Sequence, residues 1–265
     1  MPDNVPCLQI DAFTSEPFRG NPATVCLLEH SRSADWMQRV AAELNQTETA
    51  FVRAEGDELQ LRWFTPRVEV DLCGHATLAA AHALWSEGCL EESSPIEFQT
   101  RSGTLTARKR DPWIELNFPA TPATEVPTAA ELLSALGIET AWCGQSSADY
   151  LIVVPNESIV RGLQPDLARL AQIPTRGVIV TAKSDDARWD FVSRFFAPAC
   201  GIDEDHVTGS AHCCLAPYWS SVLGKDRLTG YQASRRGGIV QTELADDRVL
   251  LRGKAITIWR GELLV

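Results

Sequence analysis

The sequence predicts an α+β fold of two pseudo-symmetric domains, each a mainly antiparallel sheet wrapped around a central helix. The first observation behind this is a repeat. Arg62-Trp63-Phe64-Thr65-Pro66 is followed by Gly74-His75-Ala76-Thr77 and an apolar stretch ending at Leu84-Trp85. In the same way, Arg194-Phe195-Phe196-Ala197-Pro198 is followed by Gly209-Ser210-Ala211-His212 and a stretch ending at Tyr218-Trp219. Arg194 lies 132 residues beyond Arg62 and Gly209 lies 135 beyond Gly74, half of the 265-residue chain. That period is too long for a solenoid and suggests two copies of one domain. The second observation is the stretch after Gly74. Ala76, Leu78, Ala79, Ala80, Ala81, Ala83, Leu84 and Trp85 leave hardly any polar face, so this helix is buried all round. The third is that strand-like alternation dominates the rest of the chain.

Taken in order, strands are expected over Cys7 to Phe13 and Ala23 to Leu28, flanking a Gly20-Asn21-Pro22 turn. Ser33 is placed to N-cap a helix running through Met37, Val40, Ala41 and Leu44. Strands follow near Glu48 to Arg53 and Leu59 to Phe64, then the helix Gly74 to Glu87. Three more strands cover Ile96 to Thr100, Thr104 to Lys109 and Trp113 to Phe118. Phe118 to Pro127 holds three prolines and no periodicity, and reads as a linker. Beyond it a helix from Ala129 to Leu136 precedes strands near Trp142 and Tyr150 to Val154. A helix around Asp166 to Ala171 precedes strands Val178 to Thr181 and Trp189 to Phe196. A helix starts near Gly209, and four strands close the chain near Arg227 to Ala233, Gly238 to Leu244, Val249 to Arg252 and Ile256 to Leu264. The domains are therefore set at 1–119 and 128–265, with the final strand free to cross back to the first.

Composition narrows the function classes. The chain is 45% hydrophobic without a run long enough to span a membrane, so no membrane partner is expected. Met1 to Pro6 has neither a basic nor an apolar signal region, and a cytoplasmic protein is expected. The net charge of −11 argues against nucleic acid, because Arg101, Arg108-Lys109-Arg110 and Arg235-Arg236 form no basic stripe. The eight cysteines contain no C-x-x-C and sit mostly among apolar neighbours, as buried free thiols do. No metal is expected, since the best set, Cys73, His75, His206, His212 and Cys213, lacks ligand spacing.

Three polar clusters remain for chemistry. In Asn45-Gln46-Thr47-Glu48-Thr49-Ala50-Phe51-Val52, alternation puts Glu48 on the apolar face of Ala50 and Val52. A carboxylate there is desolvated, with a raised pKa, and suits a general acid or base; otherwise Glu48 caps a turn or opens an exposed strand. In Asp71-Leu72-Cys73-Gly74-His75, Gly74 lets a ligand approach the backbone where a helix N-terminus favours an anion. His75 reads either as a proton donor beside that anion or as a core histidine bonded to a carbonyl. Asp203 to Ser210 holds acidic and hydroxyl residues that complement a helix dipole or cap it. Because Gly209 repeats Gly74, Thr208, Gly209 and Ser210 are expected at the same cleft, holding a small carboxylate without metal or cofactor. His82 and His212 read as packing residues.

At this point the residues resemble a known family. Asp11-Ala12-Phe13-Thr14 with Gly20-Asn21-Pro22, Asn45 to Phe51, Cys73-Gly74-His75-Ala76-Thr77 and Glu204 to His212 are similar to the PhzF-like phenazine-biosynthesis family, in the right order and over essentially the whole chain. The resemblance implies a diaminopimelate-epimerase-like fold and a cofactor-free isomerase, usually a homodimer. By similarity, Glu48 matches the acid that moves a proton between substrate carbons, and His75 and Asp205 match its supporting polar residues. Gly74, Gly209 and Ser210 match the loops that bind the substrate's carboxylate. The family's phenazine-pathway substrate, a dihydro-hydroxyanthranilic acid, is not carried over. His206 departs from the small residue or proline common there.

The same superfold hosts racemases that use paired cysteines. Cys73 stands where one would be, but the second position is Thr208, a poor acid or base near neutral pH. The expectation is therefore a cofactor-independent isomerase acting on a small carboxylated metabolite, with an asymmetric acid that suits a directed proton shift. A Cys73-dependent racemase or dehydratase and a non-catalytic small-acid-binding protein are the alternatives.

Overall fold

The structure, a computed structural model, describes residues 4–127 and 130–265. The expected helix start at Ala129 and domain start at 128 lie outside the described residues. In chain order the elements are β1 (Asn4–Ala12), β2 (Asn21–Leu28), α1 (Ala34–Leu44), β3 (Glu48–Glu55), β4 (Glu58–Phe64) and β5 (Glu69–Val70). Next come α2 (Gly74–Ser86), β6 (Ile96–Thr100), β7 (Gly103–Arg110), β8 (Trp113–Pro119), β9 (Thr124–Glu125) and α3 (Ala130–Leu136). They are followed by β10 (Trp142–Gln145), β11 (Asp149–Val153), α4 (Glu157–Gly162), α5 (Leu167–Leu170), β12 (Gly177–Lys183) and β13 (Phe191–Ala197). The chain ends with β14 (Ile202–Asp205), α6 (Gly209–Leu223), β15 (Arg227–Gln232), β16 (Gly238–Ala245), β17 (Arg248–Gly253) and β18 (Ala255–Leu264).

Two compact units divide the chain: Met1–Asn117 with Arg252–Val265, and Phe118–Leu251. The last strand thus belongs with the first unit, where the boundary 128–265 assigned it to the second while leaving a crossing open. In the first unit β1 and β2 pair antiparallel, β2 and β3 parallel across α1, and β3 and β4 antiparallel. Pairing continues as β4 with β6 in parallel across α2, then β6, β7 and β8 antiparallel, with β18 on the free side of β1. In the second unit β10 and β11 pair antiparallel, β11 and β12 parallel, and β12 and β13 antiparallel. Next come β13 with β15 in parallel across α6, and β15 with β16 antiparallel. The order of hairpins and crossovers is the same in both, so the repeat is one of topology as well as of words. Each parallel pair needs a connection long enough for a crossover, and helices provide it.

Helix placement follows from the sequence. Ser33 caps α1, its Oγ accepting from Trp36 N at 3.2 Å, and Asn45 ends it in a left-handed conformation. The helix buries Met37, Val40 and Ala41 against Phe51, Phe64 and the strand cysteines Cys7 and Cys26. α2 is buried on every side from His75 to Ala81 and again from Ala83 to Trp85, and α6 from Ala211 to Ala216, with Val222 exposed near its end. Small alanines let the surrounding strands close on α2. In α6, Pro217 has no N–H for the Cys213 carbonyl. Thr121 N donates to that carbonyl at 3.0 Å instead. The expected linker is therefore a docked segment: Ala120 N bonds Asp247 O, Val126 N bonds Cys143 O, and β9 pairs with β10.

Four elements were not expected, and two share a cause. β5 and β14 are short, acidic and poor in strand formers. Each is held by an arginine of the preceding long strand: Arg62 forks onto Glu69 at 2.7 and 2.8 Å, and Arg194 onto Glu204 at 2.7 and 2.9 Å. Each guanidinium also lies over the phenylalanine two residues on, Phe64 or Phe196, at 5.2 and 4.9 Å from the ring centre. The other two are β9 and α4, whose N-cap is Asn156. Among the described residues no helix is long and apolar enough to cross a membrane. Six cysteines are buried free thiols, while Cys89 and Cys200 are exposed.

Candidate active site

In the first unit, the turn into β2 and the heads of β3 and α2 bring four polar side chains together. Gly20 has φ +63, and a Cβ on it would lie 2.1 Å from Ala12 O, so only glycine makes this turn. The turn delivers Asn21, which is fully buried, to within 3.2 Å of His75, Nδ2 to Nδ1. Cys73 Sγ lies 3.5 Å from the same ring nitrogen. On the other side of the ring, Nε2 approaches Glu48 Oε2 at 3.1 Å. That contact is close but misaligned: neither atom has a hydrogen-bond partner, although each is buried. Glu48 is 7% exposed and His75 4%, so the reading of Glu48 as an exposed strand start does not hold.

The electrostatics are those of a mutually supported cluster. Burial works against a charged His75, but ionised Cys73 and Glu48 work for it, and together they hold the imidazole well above its usual range. Burial raises the Cys73 thiol above its ordinary value; His75 pulls it down, and the Glu48 charge adds to the rise. One ligand atom from each of Glu48, Cys73 and His75 lies within 4.8 Å of the others, so this trio also has the composition of a metal-binding set.

The second unit repeats the frame with other chemistry. Thr208 Oγ1 donates to Asp205 Oδ2 at 2.6 Å, and buried Gln232 accepts from Thr208 N at 2.8 Å while donating to Asp205 O at 2.8 Å. Asp205 thus braces the loop that starts α6, and Glu204 serves Arg194; the acidic run does more than complement a dipole. Pairing register aligns Thr49 with Phe64 and Val178 with Phe196, so the counterpart of Glu48 is Gly177. A Cβ on Gly177 would lie 2.2 Å from the Phe195 ring, leaving no room for a side chain. Beside it Arg176 forks onto Asp149, one arm at 2.9 Å, and also reaches Ser210 Oγ at 3.1 Å. Asn21, Gln232 and Arg176 were missed from sequence. Asn21 had a signal, an amide between Gly20 and Pro22 at a strand head; the others had none.

Both α2 and α6 start without a side-chain capping bond, at Cys73 and Thr208. The surface helices α1, α4 and α5 are capped by Ser33, Asn156 and Asp166. The first-turn N–H groups at Gly74 and Gly209 therefore point out uncapped, each an anion-binding feature.

The two histidines expected to pack do so. His82 Nε2 lies 3.0 Å from Thr257 Oγ1, and His212 Nδ1 lies 2.8 Å from Thr208 O. Burial pushes each down to about 4. For His212 the unfolded chain takes up a proton near 6.5 while the folded one stays neutral until about 4. Its contribution to stability is intact above pH 6.5 and lost as pH falls towards 4, about 3 kcal/mol in all. His75 has the opposite sign, since stability from its raised pKa is present below 6.5 and lost as pH rises through the folded value. Urea titrations from pH 7 to 4.5 are expected to show declining stability, and His212→Asn to remove about one proton from the slope.

Comparison with known proteins now bears on this site. A family model described as phenazine biosynthesis-like protein (PhzC-PhzF) matches residues 10–261. An uncharacterized isomerase of Halalkalibacterium halodurans is 51% identical over 98% of both chains. The crystal structure of a PhzF-family phenazine biosynthesis protein from Enterococcus faecalis superposes with a TM-score of 0.95 at 39% identity, covering 99% of this chain and 100% of that one. A probable proline racemase from Agrobacterium radiobacter, 12% identical, superposes with a TM-score of 0.65 over 98% of this chain and 92% of its own, and shares the fold. The fold is therefore the epimerase-like one that the family resemblance implied. With the family model spanning the site residues and a relative half identical from end to end, the chain belongs to the phenazine biosynthesis-like PhzC-PhzF family and is an isomerase.

Proposed function

We propose that the protein is a cofactor-independent isomerase that moves a proton between two carbons of a small carboxylated metabolite, with Glu48 as the acid/base. One observation carries the reading: the Glu48 carboxylate is buried, its Oε2 has no hydrogen-bond partner, and it stands 3.1 Å from His75 Nε2. A carboxylate so placed is free to take a proton from carbon, and the imidazole beside it steadies the charge and orients the group. The uncapped start of α2 at Gly74 supports the binding of a substrate carboxylate there. In the second unit the same reading gives Asp205 an orienting role and Thr208, Gly209 and Ser210 an anion-binding role, with Arg176 adding a cation beside Ser210.

A second reading has Cys73 as the base, favoured by its 3.5 Å approach to His75 Nδ1. Burial opposes it by raising the thiol, and Thr208, the matching residue, has its hydroxyl proton committed to Asp205. The test is a screen of carboxylated amino- and hydroxy-cyclic metabolites in deuterated water. The expected result is deuterium at carbon in a ligand that is turned over. Binding without any exchange would make the protein a small-acid carrier. Inactivation by iodoacetamide that substrate prevents, together with an active Glu48→Gln, would transfer the role to Cys73.

A further inference from the structure

We propose that Glu48, Cys73 and His75 form a capture site for a thiophilic divalent cation of the zinc class, and that the bound ion switches the isomerase site off. The three side chains offer one oxygen, one sulfur and one ring nitrogen, all within 4.8 Å of one another. Zinc–ligand bonds of about 2.0–2.3 Å set tetrahedral neighbours roughly 3.5 Å apart, so the trio needs to close by about 1 Å, with Cys73 Sγ turning from the Nδ1 side of the ring, where it lies at 3.5 Å, towards Nε2. The Glu48–His75 edge, at 3.1 Å, is already there.

Three features favour an ion over a purely proton-handling cluster. First, Glu48 Oε2 and His75 Nε2 face each other at 3.1 Å in a buried site without an aligned hydrogen bond, so an ion that takes both atoms replaces a poor contact and not a good one. Second, Asn21 holds the far ring nitrogen, at 3.2 Å, as the outer groups of metal-ligating histidines do. The amide can present its oxygen to Nδ1–H once Nε2 is taken. Third, Cys73 has no part in the proposed proton transfer, yet its sulfur sits in the cluster. Three protein ligands leave the fourth vertex for water, and a thiolate among them selects zinc-like ions over magnesium and calcium.

Binding is an exchange of two protons for the ion. Cys73 S–H and the His75 imidazolium each lose a proton to solvent, the sulfur and Nε2 bond the cation, the Glu48 carboxylate gives a lone pair, and no electrons are transferred. An ion on the Glu48 lone pair leaves none to accept a proton from carbon. That inhibitory half rests on the proposed isomerase reading; the capture itself does not.

Cobalt(II) titration of the reduced, chelator-stripped protein tests the capture without any substrate. Saturation at one ion per chain is expected, with a near-ultraviolet thiolate-to-cobalt charge-transfer band that zinc abolishes and magnesium does not. Cys73→Ser is expected to remove the band, whereas replacing both exposed thiols, Cys89 and Cys200, leaves it intact. Glu48→Gln should keep the band and weaken binding at least about tenfold. Absence of a saturable band, a band that survives Cys73→Ser, or one lost with Cys89 and Cys200 would overturn the site. If circular dichroism shows that Cys73→Ser does not fold, His75→Gln carries the test, with unchanged cobalt affinity as the overturning result. Failure here leaves the isomerase reading standing, since deuterium exchange is measured separately.

Discussion

Glu48→Gln is expected to lower turnover of the substrate by about 10²–10⁴-fold, the range for loss of a positioned acid/base group. The substitution is nearly isosteric, so β3 keeps its pairing with Ala23 and Phe64 across Glu48 and Thr49, and packing around Ala50 and Val52 is untouched. What is lost is the lone pair that takes the proton. Deuterium incorporation from solvent should fall in step with turnover, because both report the same carbon–hydrogen cleavage. Thermal stability should fall, because the Glu48 charge is one of the groups that holds the buried imidazolium of His75 and the amide takes that charge away, so folding is checked by circular dichroism beside each turnover measurement. Near-full turnover by Glu48→Gln would sink the assignment. A loss of turnover with exchange retained would instead move Glu48 from proton abstraction to the return step.

The repeat explains why an acid in one unit has no twin in the other. At the head of β12 the counterpart of Glu48 is Gly177, closed by the Phe195 ring, and its neighbour is Arg176, pinned by Asp149. One copy of the frame thus carries a carboxylate with an imidazole, and the other a guanidinium with a hydroxyl. A symmetric racemase needs like groups at both places; this pair is unlike in charge. The uncapped helix starts are the part that both copies keep.

Much of this was legible in the residues. The repeated Arg-x-Phe words mark real counterparts because each arginine does the same job, clamping an acidic strand and covering the next phenylalanine. The all-apolar stretch after Gly74 could only be an enclosed helix, and a central helix among strands nearly dictates the fold. Short acidic strands such as β14 were hidden, because their stability comes from a partner ten residues away and not from their own propensity. Glu48 was visible as a candidate but not resolvable as buried or exposed. Alternation assigns a face, whereas the His75 contact depends on how α2 enters between strands. Arg176 gave no signal because its significance comes from Ser210, 34 residues later.

Phe191→Ala is expected to cost the second unit about 3–5 kcal/mol, as removal of a fully enclosed aromatic ring does. Phe191 is 0% exposed and lies flat on Trp219, with ring centres 5.8 Å apart and planes 2° from parallel. Gly230 has no side chain because the ring occupies its space; a Cβ there would come within 2.5 Å of it. Gly230 has no side chain to move into the space and the Trp219 ring is itself buried, which puts the cost at the upper part of that range. A fall in midpoint on the order of 10 °C should follow, read by tryptophan fluorescence. Phe18→Ala, at a residue 74% exposed, should shift it little. The cavity has a second consequence, because the ring also lies against His212, with centres 5.9 Å apart. His212 is neutral down to about 4 on account of burial, and its Nε2 has no partner. Water admitted beside it would relax that penalty and move its pKa back towards 6.5. Phe191→Ala should therefore be less stable at pH 7 but lose less further stability on acidification than the parent. An unchanged acid slope would show that the cavity stays dry, and a midpoint within 2–3 °C of the parent's would show that the ring's packing contributes far less than about 3 kcal/mol.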